Sequence, residues 1–428
     1  MTERELYDRY PALADERKGE LPNAAILPYE PHDGRSARTR TTTPPIQEEP
    51  VRHLFLNGPV QNGPFTFATH PGKAVGIRLA AALNAVLGSP PAPHLWNTVT
   101  LAGDLRHRRA DDPSIPRHRF ETDLIAGKYP PGRSSAGGIM TDADAEVADL
   151  ALEMIENNLR VGTLTVSRET VPTCRACGHM TGIGGHPCNA CGNTDTQERA
   201  GLHLVAEPAK DRPVLDRSDI HAAHRRQPEH LQHTAGNVAE RLILSRTRDH
   251  GIDLSPLGLN GLVLDPRAGI HATVLAAARR HEADTAVMTI TENAAHHIAA
   301  HGRHFREHDG TRLRYALHGR LPYGHTASLQ PLYEAYRATQ ELKDGFVEWF
   351  LPLFSLRART GTRPDQLPAL FKHYVRAHLA KPVAADGAAF EAVRHSVSAG
   401  DAEWVTSKQA LAHVMAARAT TPNAAAGL

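Results

Sequence analysis

All four cysteines of this 428-residue chain lie in one short stretch, as two Cys-x-x-Cys pairs separated by ten residues. Each pair forms a tight turn that directs two thiolates inward, and two such turns together complete a tetrahedral zinc shell. A shell of four thiolates is structural, because a catalytic zinc keeps a vacant position for water. We therefore predict a structural Zn²⁺ bound by Cys174, Cys177, Cys188 and Cys191.

Two alternatives to this ligand set stay open. His179 and His186 lie between the pairs, and either imidazole is able to replace one thiolate. Four unliganded cysteines are the other interpretation, which the spacing disfavours. Metal-binding cysteines are typical of reducing compartments. The charged N-terminus and the absence of an apolar run of roughly 20 residues point the same way, so we expect a cytoplasmic protein that does not associate with membranes.

The charge balance bears on the class of partner. The chain has 48 basic and 47 acidic residues, so no overall field attracts it to nucleic acid. Its length predicts two or three domains. Residues 1–50 are rich in Pro, Arg and Thr and are predicted to form an extended N-terminal arm.

The order of elements indicates the fold class. An apolar strand at 51–60 runs into Gly-Pro turns, a helix is predicted over 74–87 with Gly88 as its stop, and a second strand follows near 95–103. This is how a doubly wound α/β sheet begins. Further predictions are a helix over 142–159 capped by Thr141 or Asp142, a polar helical stretch over 213–251, a strand and helix over 261–281, a strand over 285–292, and helices over 331–428.

The segment "HPGK", residues 70–73, is the first candidate for a ligand site. Backbone N–H groups and the helix dipole at such a turn favour phosphates, and His70 and Lys73 are able to stabilise charge on them. An ordinary helix entry explains the same four residues equally well.

Several segments in order resemble the class I aminoacyl-tRNA synthetases, specifically the methionyl-tRNA synthetase type. The resemblance covers about residues 51–365, including the cysteine pairs. "HPGK" stands where that family has HIGH, and "LAGDLRH" (101–107) resembles GTDEHG. "LILSRTRDHGIDLSP" (242–256) resembles the ISR segment, "LVLDPRAGI" (262–270) resembles VWFDAPIGY, and "TENAAHH" (291–297) resembles GKDxxxFH.

The resemblance implies an α/β, Rossmann-like class I synthetase catalytic domain with a zinc-knuckle insertion and an α-helical C-terminal domain. The implied domains are the arm at 1–50, the first catalytic half at 51–140, the insertion at 141–235, the second catalytic half at 236–335 and a reduced helical domain at 336–428.

The resemblance also implies roles for individual residues. Asp104 would bind the substrate ammonium group, Asp265 would lie opposite the adenylate, and Glu292 and His297 would lie near the substrate. The implied sets are His70, Lys73 and Asp104 as catalytic residues; Asp104, Val263, Asp265, Ile270 and His297 as substrate-binding residues; and His70, Gly72, Lys73, Glu292 and His325 as ATP-binding residues.

Departures from the family pattern narrow the expected function. Lys73 replaces the second His of HIGH, and "GHTAS" (324–328) occupies the place of KMSKS without its lysine, which leaves His325 or Arg320 as substitutes. Val263 and Ile270 replace the Trp and Tyr that grip a methionine side chain, so we expect a different amino acid. The C-terminal domain is short for an anticodon-binding domain.

The implied activity is that of a methionyl-tRNA synthetase-like paralogue, a ligase that converts ATP, with Mg²⁺, to AMP and pyrophosphate. We expect transfer of a small amino acid to a small-molecule acceptor other than tRNA. An example is an N-hydroxylated amine on the way to a nitrogen–nitrogen bond, with a cupin-type partner enzyme supplying the next step. The alternatives are a divergent aminoacyl-tRNA ligase and a non-catalytic amino-acid- or nucleotide-binding paralogue.

One histidine cluster has a separate interpretation. His297, His301, His304 and His308 would share one face of a continuous helix and would offer a second metal or phosphate site. Gly302 weakens such a helix, and chance clustering among 27 histidines is the alternative.

Overall fold

The computed structural model describes residues 51–60, 67, 69–98, 137–181, 188, 191–206, 213–236, 238–239, 241–248, 250–357, 361–384 and 386–420. The predicted arm at 1–50 and the predicted ammonium-binding residue Asp104 lie outside these residues.

The strands of the described residues are β1 (His53–Asn57), β2 (His94–Trp96), β3 (Ile139–Thr141), β4 (Leu164–Cys174), β5 (Thr196–Ala206), β6 (Ile220–Ala222), β7 (Leu242–Ile243), β8 (Ser245–Arg246), β9 (Val263–Leu264), β10 (Thr285–Thr291), β11 (Glu307–His308) and β12 (Thr311–His318). The helices are α1 (Val75–Leu87), α2 (Ala145–Arg160), α3 (Gln232–Ala235), α4 (Pro266–Arg280), α5 (Ala295–His301), α6 (Gln330–Ala335), α7 (Gln340–Gly345), α8 (Leu351–Phe354), α9 (Leu367–Leu379), α10 (Gly387–Ser398) and α11 (Lys408–Thr420). A π-helical turn, Phe346–Phe350, joins α7 to α8.

A parallel sheet forms the centre of the fold. β1, β10, β12 and β6 pair in that order, all parallel, and β11 adds a short antiparallel hairpin at the start of β12. β2 and β3 pair in parallel beside the free edge of β1, where the side chain of Asn57 hydrogen-bonds to Leu95 of β2. The resulting order, β3–β2–β1–β10–β12, follows the pattern of a doubly wound nucleotide-binding sheet.

Apolar side chains bury both faces of this sheet. One cluster joins the sheet to α2 and α4, and the other joins it to α1 and the C-terminal helices. Phe346, Trp349 and Phe350 are at most 1 % exposed and lie in the second cluster. The predicted α/β class, with a cysteine-bearing insertion and a helical C-terminal region, is confirmed.

Three local predictions differ from the structure. α2 begins after Asp144, whose carboxylate accepts a hydrogen bond from the Thr141 N–H (2.8 Å), so neither Thr141 nor Asp142 is the cap. The strand near 95–103 ends at Trp96, because the Thr98 N–H turns to the carboxylate of Asp142 (2.6 Å).

The prediction of a helical stretch over 213–251 is wrong. Its described residues form β6, β7, β8 and only the four-residue helix α3. Polar composition does not by itself specify a helix: Pro228 interrupts the stretch, and β6 pairs with β12 in the sheet.

Across the described residues, no helix combines the length and the apolar character that a membrane-spanning segment requires.

Candidate functional site

The carboxyl ends of β1 and β10 mark the natural ligand crevice of this sheet. From β1 the chain first builds β2 and β3 on one side and later β10 and β12 on the other. Open α/β sheets bind ligands outside the carboxyl ends of their strands at such a reversal. We therefore call this region the switch-point crevice.

The "HPGK" segment lies at the switch-point crevice. His70 is exposed and precedes a 3₁₀ turn, Pro71–Ala74, which leads directly into α1. Gly72 is exposed, and a Cβ atom built on it would lie 3.8 Å from Cδ2 of Tyr323. Tyr323 begins the 3₁₀ segment Tyr323–Leu329, which contains "GHTAS". The tertiary structure thus places the segment in the position of HIGH close to Tyr323, which directly precedes the segment in the position of KMSKS.

Two glycines allow the chain after β1 to press against β10. A Cβ atom on Gly58 would lie 2.6 Å from Ile290, and one on Gly76 would lie 2.9 Å from the Thr289 hydroxyl. The Thr289 hydroxyl in turn donates to the carbonyl oxygen of Gly76 (2.9 Å). Side chains at these two positions would push the start of α1 away from the sheet and widen the crevice.

Asp265 lies at the N-terminus of α4 and is fully buried. Its Oδ1 accepts from the backbone N–H (2.9 Å) and the Nε (2.8 Å) of Arg267, and its Oδ2 accepts from Nη2 of Arg267 and Nε of Arg246 (both 2.6 Å). We call these three residues the arginine–aspartate cluster. Because all acceptor positions of Asp265 are filled, its direct role in this conformation is to position the two guanidinium groups.

The charge of Asp265 is fixed by its partners. Burial by itself would raise the pKa of this carboxyl, but the charge of Arg246 and the hydrogen bonds and charge of Arg267 outweigh burial and hold the pKa well below its ordinary value. The cluster therefore contains one carboxylate and two guanidinium groups at neutral pH.

His297 lies beside the arginine–aspartate cluster. Its Nε2 contacts Nη1 of Arg267, and its ring packs edge-on against that of His301, with centroids 4.7 Å apart. Burial, together with the charge of Arg267, lowers the pKa of His301 to about 3, so His301 is neutral at physiological pH. Through Arg267, His297 is thus connected to Asp265.

The structure does not form the single histidine face over 297–308 that a continuous helix would give. α5 ends at His301, and Gly302 follows because a Cβ atom there would lie 1.9 Å from Nε2 of His271. His308 lies in strand β11, where its Nε2 is 3.2 Å from Oε1 of Glu153.

Glu292 follows β10 and is 1 % exposed. Its Oε1 lies 3.6 Å from Nε2 of His230. Nδ1 of His230 donates to the carbonyl oxygen of Gln227 (2.5 Å), which leaves Nε2 to face the carboxylate. Of the other predicted pocket residues, Val263 is 7 % exposed and Ile270 is fully buried in the main core, whereas His325 is exposed.

Three further residues take part in these contacts: the sequence predicts no role for Arg246 and Arg267, and it predicts only a capping role for Asp142. Arg246 and Arg267 lay inside segments that resemble the family motifs, which was the available signal. Asp142 is 2 % exposed, and its Oδ2 would lie 3.9 Å from a Cβ atom on Gly269 in the first turn of α4. Only the fold brings the end of β3 to α4.

The four cysteines form one cluster, as predicted. Their sulfur atoms all lie within 4.8 Å of one another, and the Cys174–Cys191 and Cys177–Cys188 sulfurs are 3.4 and 3.7 Å apart. A tetrahedral shell with zinc–sulfur bonds of about 2.3 Å separates its sulfurs by about 3.8 Å, whereas a disulfide needs about 2.05 Å. The cysteine cluster therefore fits zinc as four thiols and not as two disulfides.

Cys174 is the thiol of the cysteine cluster whose pKa is lowered. The backbone N–H of Cys177 is the main cause that lowers the pKa of Cys174 to about 7, whereas burial raises the pKa of Cys177 to about 12. A bound metal replaces these protons, since the thiolate is the ligand.

Two cavities lie away from the predicted site. One of about 640 Å³ borders α3 and includes Gln232 and His296 in its lining, and one of about 400 Å³ includes Asp219, Arg306 and Arg312. None of the described residues in the implied catalytic, substrate-binding, ATP-binding and zinc sets lines either cavity, whereas His304 of the histidine cluster lines the smaller one.

No protein-family model matches the chain, and no curated protein matches it. Two solved structures of Mycobacterium tuberculosis methionyl-tRNA synthetase with methionyl-adenylate are similar to it. One is 13 % identical with a TM-score of 0.40, over 61 % of this chain and 58 % of that one. The other is 14 % identical with a TM-score of 0.47, over 84 % of this chain and 81 % of that one. The chain thus spans 58 % of the length of the first, and the architecture described above rests on its own strand order and contacts.

Proposed function

We propose that this chain is an ATP-dependent ligase that activates a small amino acid as its adenylate. The supporting observation is that a Cβ atom built on Gly72 would lie 3.8 Å from the Tyr323 ring at the switch-point crevice, although the two residues are 251 positions apart in sequence. Gly72 belongs to the segment that stands where the family has HIGH, and Tyr323 directly precedes the segment that stands in the place of KMSKS. A ligand between them lies at the N-terminus of α1, which favours phosphate.

The chemistry is a displacement at phosphorus followed by acyl transfer. A carboxylate oxygen of the amino acid attacks the α-phosphate of ATP, which enters with Mg²⁺, and pyrophosphate leaves. His70 and Lys73 stabilise the negative charge on the phosphates, and Asp104 binds the ammonium group. Positioning and electrostatic stabilisation supply most of the rate enhancement.

The proposed acceptor is a small N-hydroxylated amine rather than tRNA. Its oxygen attacks the carbonyl carbon of the adenylate, AMP leaves, and the hydroxyl proton passes to solvent. The near balance of 48 basic and 47 acidic residues supports a small acceptor. A cupin-type partner enzyme would then act on the ester.

The test is ATP–pyrophosphate exchange with the full-length, zinc-loaded protein across a panel of amino acids. We expect exchange with one or a few small amino acids and weak exchange with methionine. Lys73→Met should lower the exchange rate by about 100-fold, the effect of removing one charge-stabilising donor. Lys381→Met is the matched control, because Lys381 is exposed and lies in the C-terminal helical region.

The acceptor is identified in a second assay. Amino acid, ATP and an N-hydroxylated amine should together give AMP and an ester that mass spectrometry detects. Stable aminoacyl-tRNA in a charging assay would instead favour a divergent aminoacyl-tRNA ligase. If the folded, metal-loaded protein shows no pyrophosphate exchange with any amino acid, the result would favour the non-catalytic binding paralogue.

A further inference from the structure

The residues that follow β8 connect the cysteine cluster to the arginine–aspartate cluster. The backbone N–H of Met180 donates to the hydroxyl of Thr247 (2.5 Å), and this hydroxyl makes a longer contact of 3.5 Å with the carbonyl oxygen of Gly178. Gly178 directly follows the zinc-ligand candidate Cys177. Thr247 is therefore attached to the first cysteine turn.

Arg248 reinforces the same attachment. Its Nη2 donates to the carbonyl oxygen of Met180 (3.0 Å), and its Nη1 donates to the carbonyl oxygen of Thr247 (2.8 Å). Both backbone polar groups of Met180, which is 3 % exposed, thus bind the segment after β8. If these contacts are lost, the buried N–H and carbonyl groups of Met180 have no water molecule as an alternative hydrogen-bond partner.

The residue before Thr247 reaches in the opposite direction. Arg246 donates to the fully buried carboxylate of Asp265 (2.6 Å), and its backbone pairs with Val263 across β8 and β9. Three consecutive residues, 246–248, therefore contact the cysteine turn through Thr247 and Arg248 and Asp265 through Arg246.

The cysteine turn keeps its shape by short backbone bonds. The Gly178 N–H donates to the carbonyl oxygen of Cys174, and the Cys174 N–H donates to that of His179, both at 2.8 Å. Zinc would fix the first turn to the second, and without metal four separate thiols place no such constraint on Met180.

We propose that Thr247 is a positioning residue that couples metal binding at the cysteine cluster to the placement of Arg246. A metal-loaded cluster fixes Met180, Met180 fixes Thr247, and Arg246 is then oriented on Asp265. Coupling of this kind is reciprocal, so a change at Arg246 alters metal retention as well. The consequence for amino-acid binding rests on the proposed function, whereas the coupling itself does not.

The test is a double-mutant cycle on zinc retention. Zinc release to a chromophoric chelator is measured for the full-length wild type, Arg246→Gln, Thr247→Val and the double variant. Thr247→Val should speed release about fivefold to tenfold, as expected for one lost hydrogen bond to a buried group. Arg246→Gln alone should release zinc faster than the wild type. The double variant should release zinc at nearly the same rate as Thr247→Val alone.

Two controls separate coupling from a general loss of stability. Thr247→Ser retains the hydroxyl and should release zinc at the wild-type rate. Arg241→Gln removes an arginine that pairs with Glu169 on β4 and should leave release unchanged. Additive effects of Arg246→Gln and Thr247→Val, or equal release from Thr247→Val and Thr247→Ser, would overturn the proposal.

Pyrophosphate exchange then tests the consequence at the crevice. Thr247→Val should raise the KM for the amino acid more than it lowers kcat, and Thr247→Ser should restore the wild-type KM. An unchanged KM in Thr247→Val would overturn this part. Absence of exchange in the wild type would reject the proposed function, while the zinc-release cycle would still decide the coupling.

Discussion

The side-chain amide of Asn57 exchanges two hydrogen bonds with the backbone of Leu95. Nδ2 of Asn57 donates to the Leu95 carbonyl oxygen (2.8 Å), and the Leu95 N–H donates to Oδ1 of Asn57 (2.9 Å). Asn84 of α1 does the same for Phe55, at 2.8 and 2.9 Å. The Asn57 carboxamide thus joins the end of β1 to β2, and the Asn84 carboxamide joins Phe55 in the middle of β1 to α1.

Replacing Asn57 by Leu should destabilise the fold. Asn57 is 3 % exposed, so the change leaves two buried backbone groups of Leu95 without partners. Each orphaned group costs roughly 1–3 kcal/mol. Urea denaturation should show a lower free energy of unfolding, whereas Asn157→Ala, on the exposed face of α2, should stay within about 0.5 kcal/mol of the wild type. Equal stability of the two variants would show that water satisfies Leu95.

Asp265→Asn should be strongly destabilising at neutral pH. The change leaves Arg246 and Arg267 without their buried carboxylate, and breaking a buried pair costs roughly 3–5 kcal/mol. The folded-state pKa of Asp265 is depressed, so its contribution is fully present above the unfolded value of about 3.9 and is lost as the pH falls through the folded value. Denaturation at several pH values should therefore show the difference from the wild type shrinking below about pH 4. A constant difference down to pH 2 would contradict this assignment.

Gly302→Ala should disturb the end of α5. Its new Cβ atom would lie 1.9 Å from Nε2 of His271, whose ring is buried and lies between the carbonyl oxygen of Arg267 (2.6 Å) and the hydroxyl of Tyr315 (2.9 Å). Overpacking of this kind costs about 1–3 kcal/mol. Gly236→Ala is the control, because nothing lies within 4 Å of a Cβ atom there. Similar melting temperatures for both variants would mean that His271 moves without cost.

Metal content tests the cysteine cluster directly. We expect one zinc per chain in the wild type and loss of zinc in Cys191→Ser, because three thiolates leave the shell incomplete. His179→Gln should retain zinc, since the four sulfurs alone complete the shell. Chelation of the wild type should also increase proteolysis between β4 and β5. Loss of zinc in His179→Gln would instead make His179 a ligand.

Much of the fold was predictable because its signals are local. The helix that ends at Gly88 follows from apolar spacing and from a glycine with a φ of 74°, which favours Gly over other residues. The strand over 285–291 follows from its apolar run. The prediction of a helix over 213–251 is wrong because the pairing of β6 with β12 depends on residues about 95 positions away.

The candidate site divides in the same way. By itself the sequence determined the grouping of the four cysteines, because their spacing is a property of the chain and two short turns suffice to build the shell. Only the tertiary structure decided that Gly72 meets Tyr323 and that the Asp265 carboxylate is saturated by Arg246 and Arg267. Those contacts join segments distant in the chain, and the packing of the sheet selects them rather than any local preference.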